Sequence, residues 1–132
     1  MIILLQSRYT YTMKIGTDIT QISRIKKAVE KFGDKFKSRF LTAEESSRTK
    51  KISSLAGLWA AKEAISKALG CGIGSDLSFH DIIITKDNRG APHFTLSEQA
   101  KEKFPIAESS LSISHDGGFA IAVVAITMAN SK

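Results

Sequence analysis

The sequence contains a single cysteine in 132 residues. One thiol closes no internal disulfide and cannot alone build a thiolate metal centre, which fits a reducing compartment. Cys71 lies between Gly70 and Gly72. With no base or helix N-terminus beside it to lower its pKa, it reads as a turn residue and not a nucleophile. Also missing is any apolar run long enough to cross a bilayer. The stretch Met1–Leu5 is apolar, but it is too short for an export signal, with no basic region before it and no small-residue cleavage site after it. A cytoplasmic protein with no membrane partner is therefore expected. No Walker-A loop and no GxGxxG after a strand is present, which excludes ordinary nucleotide-binding machinery. Repeats, linkers and low-complexity tracts are absent as well. What is left, at this length and with 42% hydrophobic residues, is one compact globular domain.

Acidic residues are outnumbered, 13 against 19 Lys and Arg, for a net charge of +6. The excess is local. Residues 24–51 hold ten Lys and Arg against four acids, which accounts for all of it. One face should therefore attract an anionic partner: nucleic acid, a membrane surface, a phosphorylated ligand or an acidic protein. Nucleic acid is disfavoured, because no helix-turn-helix, RNP or zinc pattern accompanies the charge and the window's aromatics fall on an apolar face.

Residues 1–12 are polar and Thr/Tyr-rich beyond Leu5 and precede Met13, a natural start. They are expected to form an extension outside the core, with the domain at 13–132. Lys14–Ile19 predicts a short strand. Ile22, Ile25, Val29, Phe32 and Phe36 recur at three-or-four spacing, which predicts one amphipathic helix with Arg24, Lys27, Lys31 and Lys35 on its other side. Thr42-Ala-Glu-Glu45 has the form of a capping box and should start a second helix. A longer helix is predicted from about Ser54 to Leu69, closing on Gly70. Beyond it, Phe79–Thr85 reads as a strand, turned by Asp87–Gly90 into Pro92–Leu96. Ser97 should cap a short helix to Lys103. Leu111–Ser114, a His-Asp-Gly-Gly turn and Phe119–Ile126 complete a last hairpin. The expected class is α+β, with helices packed on one face of a mainly antiparallel sheet.

Within the long helix, Lys62 and Ser66 are four apart, as are Glu63 and Lys67. This spacing predicts that all four share one edge, bringing a carboxylate, a hydroxyl and two ammonium groups to one site. A hard cation held by Glu63 and a second carboxylate, with the lysines balancing remaining charge, would suit a pyrophosphate. Each residue also has a plainer reading. Glu63 can pair with Lys67, Asp18 can serve as a turn or cap residue, and His115 can be a solvated turn histidine.

Together these stretches resemble the holo-[acyl-carrier-protein] synthase family of phosphopantetheinyl transferases. The resemblance rests on Gly16-Thr-Asp-Ile19 with Arg24, Arg39-Phe-Leu-Thr42 with Glu45, Trp59–Gly70, Gly90-Ala-Pro92 and Ser112-Ile-Ser-His115. They occur in the family's order from Met13 to Ile126, and the helix motif is the most specific. The resemblance implies transfer of 4′-phosphopantetheine from coenzyme A to a serine of apo acyl carrier protein, in support of fatty acid biosynthesis. It implies Mg²⁺ held by Asp18 and Glu63, and coenzyme A lined by Lys62, Ser66, Lys67, Gly70, Pro92 and His115. Glu63, Lys62 and His115 are the implied catalytic residues, with Glu63, directly or through a water it orients, the candidate base. Arg24, with Lys27 and Lys31 on the same basic helix, would meet the acidic carrier protein. A homotrimer with sites between subunits is implied as well. Two positions depart from the family pattern. Leu58 stands where many relatives have arginine, a contact that Lys50 or Lys51 would have to replace. Asp116 follows His115 where threonine is commoner. A nucleic-acid-binding module using the basic window 24–51 is the runner-up reading, and an idle carrier-protein binder a third, which would need none of Asp18, Glu63 and His115.

Overall fold

A computed structural model describes residues 12–129. Of the expected extension, only Thr12 lies among the described residues, and it opens the first strand. The order is β1 (Thr12–Gln21), α1 (Ile22–Phe32), α2 (Asp34–Phe40), α3 (Ala43–Arg48), α4 (Ile52–Ala68), β2 (Ile82–Lys86), β3 (Pro92–Leu96), α5 (Glu98–Lys103), β4 (Ile106–Asp116) and β5 (Phe119–Met128). The main sheet is antiparallel with β5 in the centre, flanked by β1 and β4, while β2 and β3 form a separate hairpin. Thr12 pairs with Met128 and Gln21 with Phe119. The α+β class read from the sequence is the class observed.

Helix α4 lies across one face of this sheet. Its Leu55, Ala60, Ala61, Ala64, Ile65 and Ala68 are buried against Ala120, Ala122, Val124 and Ile126, alternate residues of β5. Small residues let strand and helix approach closely. A Cβ on Gly16 of β1 would sit 2.0 Å from the Ala64 carbonyl oxygen, so no larger residue fits that crossing. The opposite face of the sheet is open and apolar: Met13, Ile15, Ile19, Phe119, Ile121 and Val123 are all exposed.

Three expectations about elements change. The single amphipathic helix over 22–36 is two helices, broken at Gly33 (φ 57°), whose N–H closes α1 on Val29. The break turns Phe36 and Phe40 into an aromatic cluster with Trp59 and Phe79. It also leaves Phe32 about half exposed instead of facing the core. Second, Phe79–Asp81 is a 3₁₀ turn with a Ser78–Asp81 capping box, so strand β2 starts only at Ile82. Third, β4 extends well beyond Leu111–Ser114, because β5 pairs with it along nearly its whole length. The Thr42–Glu45 capping box is formed as read.

Candidate active site

The close crossing at Gly16 sets Asp18 of β1 beside α4. Lys67 donates to Asp18 Oδ1 at 2.9 Å and to the Thr17 carbonyl at 3.3 Å, while Thr20 Oγ1 donates to Asp18 Oδ2 at 2.7 Å. Glu63, one helical turn from Lys67, stands half-buried next to this pair. Its carboxyl is pushed above the usual range, first by burial and then by the negative charge of Asp18, with Lys67 pulling it partly back. Two neighbouring carboxylates of this kind suit a divalent cation. Among the described residues no group of three or more His, Cys, Asp and Glu gathers at one point. Asp18 and Glu63 are the two carboxylates here that could hold a hard cation.

Lys62 and Ser66 do not join them, which corrects the expectation of one shared edge. Lys62 is fully buried, and its ammonium donates to Glu45 Oε1 at 2.8 Å, the Phe40 carbonyl at 2.8 Å and the Phe79 carbonyl at 3.1 Å. All three of its donors are used inside the protein. Ser66, also buried, donates to the Glu63 carbonyl. Successive helical residues are about 100° apart, so the 62/66 row turns into the core and only the 63/67 row reaches Asp18. Burial draws the Lys62 pKa down against the hydrogen bond and charge of Glu45 that hold it up. Sequence reasoning gave Glu45 the role of a helix cap alone. It also accepts from Ile84 N–H at 2.8 Å and so ties α3 to β2 and α4. Gly70 (φ 83°) turns the chain out of α4. Desolvation and the negative charge of Asp76 push the thiol of the neighbouring, exposed Cys71 up, against any role as a thiolate.

Pro92 and His115 are brought together, but elsewhere. They line a cavity of about 200 Å³ with Ser53, Ser54, Leu58 and Lys86, and neither Asp18 nor Glu63 lines it. Leu58 presents an apolar wall where an arginine was the family expectation. Neither Lys50 nor Lys51 lines the cavity; the cation there is Lys86, which sequence reasoning missed. Its place opposite Pro92 in the β2–β3 hairpin is the signal that points to it. A larger cavity of about 280 Å³, between Phe94, Leu96, Phe104 and Ile106, contains none of the candidate residues. On α1, Arg24, Lys27 and Lys31 are exposed, and the Lys31 ammonium lies 5.3 Å from the centre of the Phe32 ring.

Comparison with known proteins gives the family of the chain. The family model of the 4′-phosphopantetheinyl transferase superfamily matches residues 14–124. The chain is 62% identical to a holo-[acyl-carrier-protein] synthase of Sulfurovum sp., over 86% of this chain and 96% of that protein. It is 56% identical to one from Aliarcobacter butzleri, over 83% and 93%. Among solved structures, the Helicobacter pylori holo-[acyl-carrier-protein] synthase in complex with coenzyme A superposes with a TM-score of 0.81 and 52% identity, over 85% of this chain and 98% of that one. A Bacillus anthracis holo-(acyl-carrier-protein) synthase in complex with coenzyme A (3′,5′-ADP) gives 0.76 and 37%, over 91% and 100%. The family model spans most of the chain, and the Sulfurovum and Aliarcobacter relatives are more than half identical to it: the chain belongs to the 4′-phosphopantetheinyl transferase superfamily.

Proposed function

We propose that this protein is a magnesium-dependent holo-[acyl-carrier-protein] synthase, which moves 4′-phosphopantetheine from coenzyme A to a serine of apo acyl carrier protein and supports fatty acid biosynthesis. The observation that carries the reading is the Asp18–Glu63 carboxylate pair with Lys67 across it. In the reaction the serine oxygen bonds to the phosphorus that bears the pantetheine arm. The bond from that phosphorus to the bridging oxygen breaks, the electron pair leaves with adenosine 3′,5′-bisphosphate, and the serine proton is lost. Glu63, directly or through a water it orients, is the candidate to accept that proton. Asp18 and Glu63 would hold Mg²⁺, which would supply charge neutralisation at the pyrophosphate. Lys67 adds an exposed ammonium to the same place. Lys62 acts from the core by fixing the helix that carries Glu63.

A homotrimer with sites between subunits suits two features. The open face of the sheet presents Ile15, Ile19 and Val123 to solvent, an apolar patch of the kind a partner covers. The cavity of Pro92 and His115 lies apart from Asp18 and Glu63, and a partner subunit would bring one to the other. The basic face with Arg24, Lys27 and Lys31 fits an acidic carrier protein. Coenzyme A as substrate and the lone cysteine agree with a cytoplasmic location; among the described residues no helix is long and apolar enough to cross a membrane.

Intact-mass spectrometry of an apo acyl carrier protein incubated with the protein, coenzyme A and Mg²⁺ tests the whole reading. A gain of one phosphopantetheine is expected, abolished by EDTA and by Asp18→Ala or Glu63→Ala. No gain with several carriers that the folded protein still binds would leave an idle carrier binder instead.

A further inference from the structure

Both oxygens of Asp18 already have partners: Lys67 at Oδ1 and Thr20 at Oδ2. The two partners differ in how readily they can leave. Thr20 is two residues away on the same strand and buried, whereas the Lys67 side chain is 53% exposed and reaches Asp18 from the end of a flexible stem. Its second acceptor, the Thr17 carbonyl, is held at 3.3 Å, a long bond that costs little to give up. An ammonium and a divalent cation beside one carboxylate repel each other, so the cation is favoured when Lys67 moves off.

We propose that Lys67 is a placeholder for the divalent cation. It occupies Asp18 in the ligand-free protein and shifts to a phosphate oxygen when coenzyme A arrives, so cation and coenzyme A bind with positive coupling. The inference rests on the reading of Asp18 and Glu63 as cation ligands. Its physical basis is charge balance. Before binding, the ammonium offsets one of two neighbouring carboxylates. Afterwards the pyrophosphate brings negative charge of its own, the lysine is better placed there, and Asp18 is released to the metal. Coupling of this kind is reciprocal: each ligand raises the affinity of the other by the same factor.

The test is Mn²⁺ binding, by calorimetry and by the electron paramagnetic resonance of free Mn²⁺, with and without coenzyme A and with no carrier protein present. Wild-type protein should bind Mn²⁺ weakly alone and more tightly with coenzyme A. Lys67→Met and Lys67→Gln should bind Mn²⁺ about three- to tenfold more tightly than wild type without coenzyme A, and should lose most of the coupling. Lys67→Arg, which keeps the charge, should retain the wild-type pattern. If Lys67→Met and Lys67→Gln bind no more tightly, or bind more tightly with the coupling intact, the placeholder role is overturned while the metal site stands. If Asp18→Asn binds Mn²⁺ like wild type, the metal site itself is lost, and the proposal with it.

Discussion

Helix α4 carries two lysines, Lys62 and Lys67, each bonded to a carboxylate from another element at nearly the same distance. Lys62 to Glu45 is 2.8 Å and Lys67 to Asp18 is 2.9 Å. Their surroundings differ. The first pair is sealed, with side chains 0% and 1% exposed, and its ammonium is saturated by two further backbone carbonyls. The second is 53% and 13% exposed and stands beside a third charged group, Glu63. Bond length does not distinguish a structural ion pair from a functional one. The distinction comes from whether the lysine can leave. Removing either partner of the buried pair strands a charge in the core, whereas water can replace Lys67 at Asp18.

That contrast can be broken experimentally, and the largest effect belongs to the buried pair. Lys62→Met should destabilise the fold by about 3–5 kcal/mol, because Glu45 is left buried without its cation. Denaturant unfolding followed by tryptophan fluorescence reads this directly, and a loss below about 1 kcal/mol would mean that the buried pair does not hold the fold.

A smaller, pH-dependent effect belongs to Glu63. Its carboxyl is raised in the folded protein, so it favours the fold most in its protonated form. That contribution is complete below its unfolded pKa and is lost as pH rises through the higher folded value. Glu63→Gln should thus melt with wild type at acid pH and above it at neutral pH, in metal-free buffer. A melting difference that did not grow with pH would contradict the account of burial and Asp18 acting on Glu63.

The smallest effect should come from the open pair. Lys67→Met is expected to change unfolding free energy by less than about 1 kcal/mol, as for other exposed ion pairs, in the same assay that shows the large loss for Lys62→Met. A loss comparable to that of Lys62→Met would mean that the open pair also holds the fold together.

Much of this was legible along the chain. The Thr42–Glu45 capping box, the Ser97 cap and the β2–β3 turn depend on residues within a few positions of one another, and each is formed as read. The break at Gly33 was less legible, because the apolar spacing runs through it without interruption. Helical spacing also put Lys62, Glu63, Ser66 and Lys67 on one edge, since residues three and four apart are neighbours on any helix. It could not say that the core takes one row of that edge and solvent the other.

The sequence by itself determined the α+β class, most of the elements and the two motifs that carry Asp18 and Glu63, because periodicity, caps and turn residues act over short distances. Only the tertiary structure decided which lysine is buried, that Glu45 reaches Lys62 and Ile84, and that Pro92 and His115 share a cavity apart from Asp18. Those outcomes depend on contacts between elements far apart in the chain, where the exclusion of water and not the local pattern sets what each charged group must pair with.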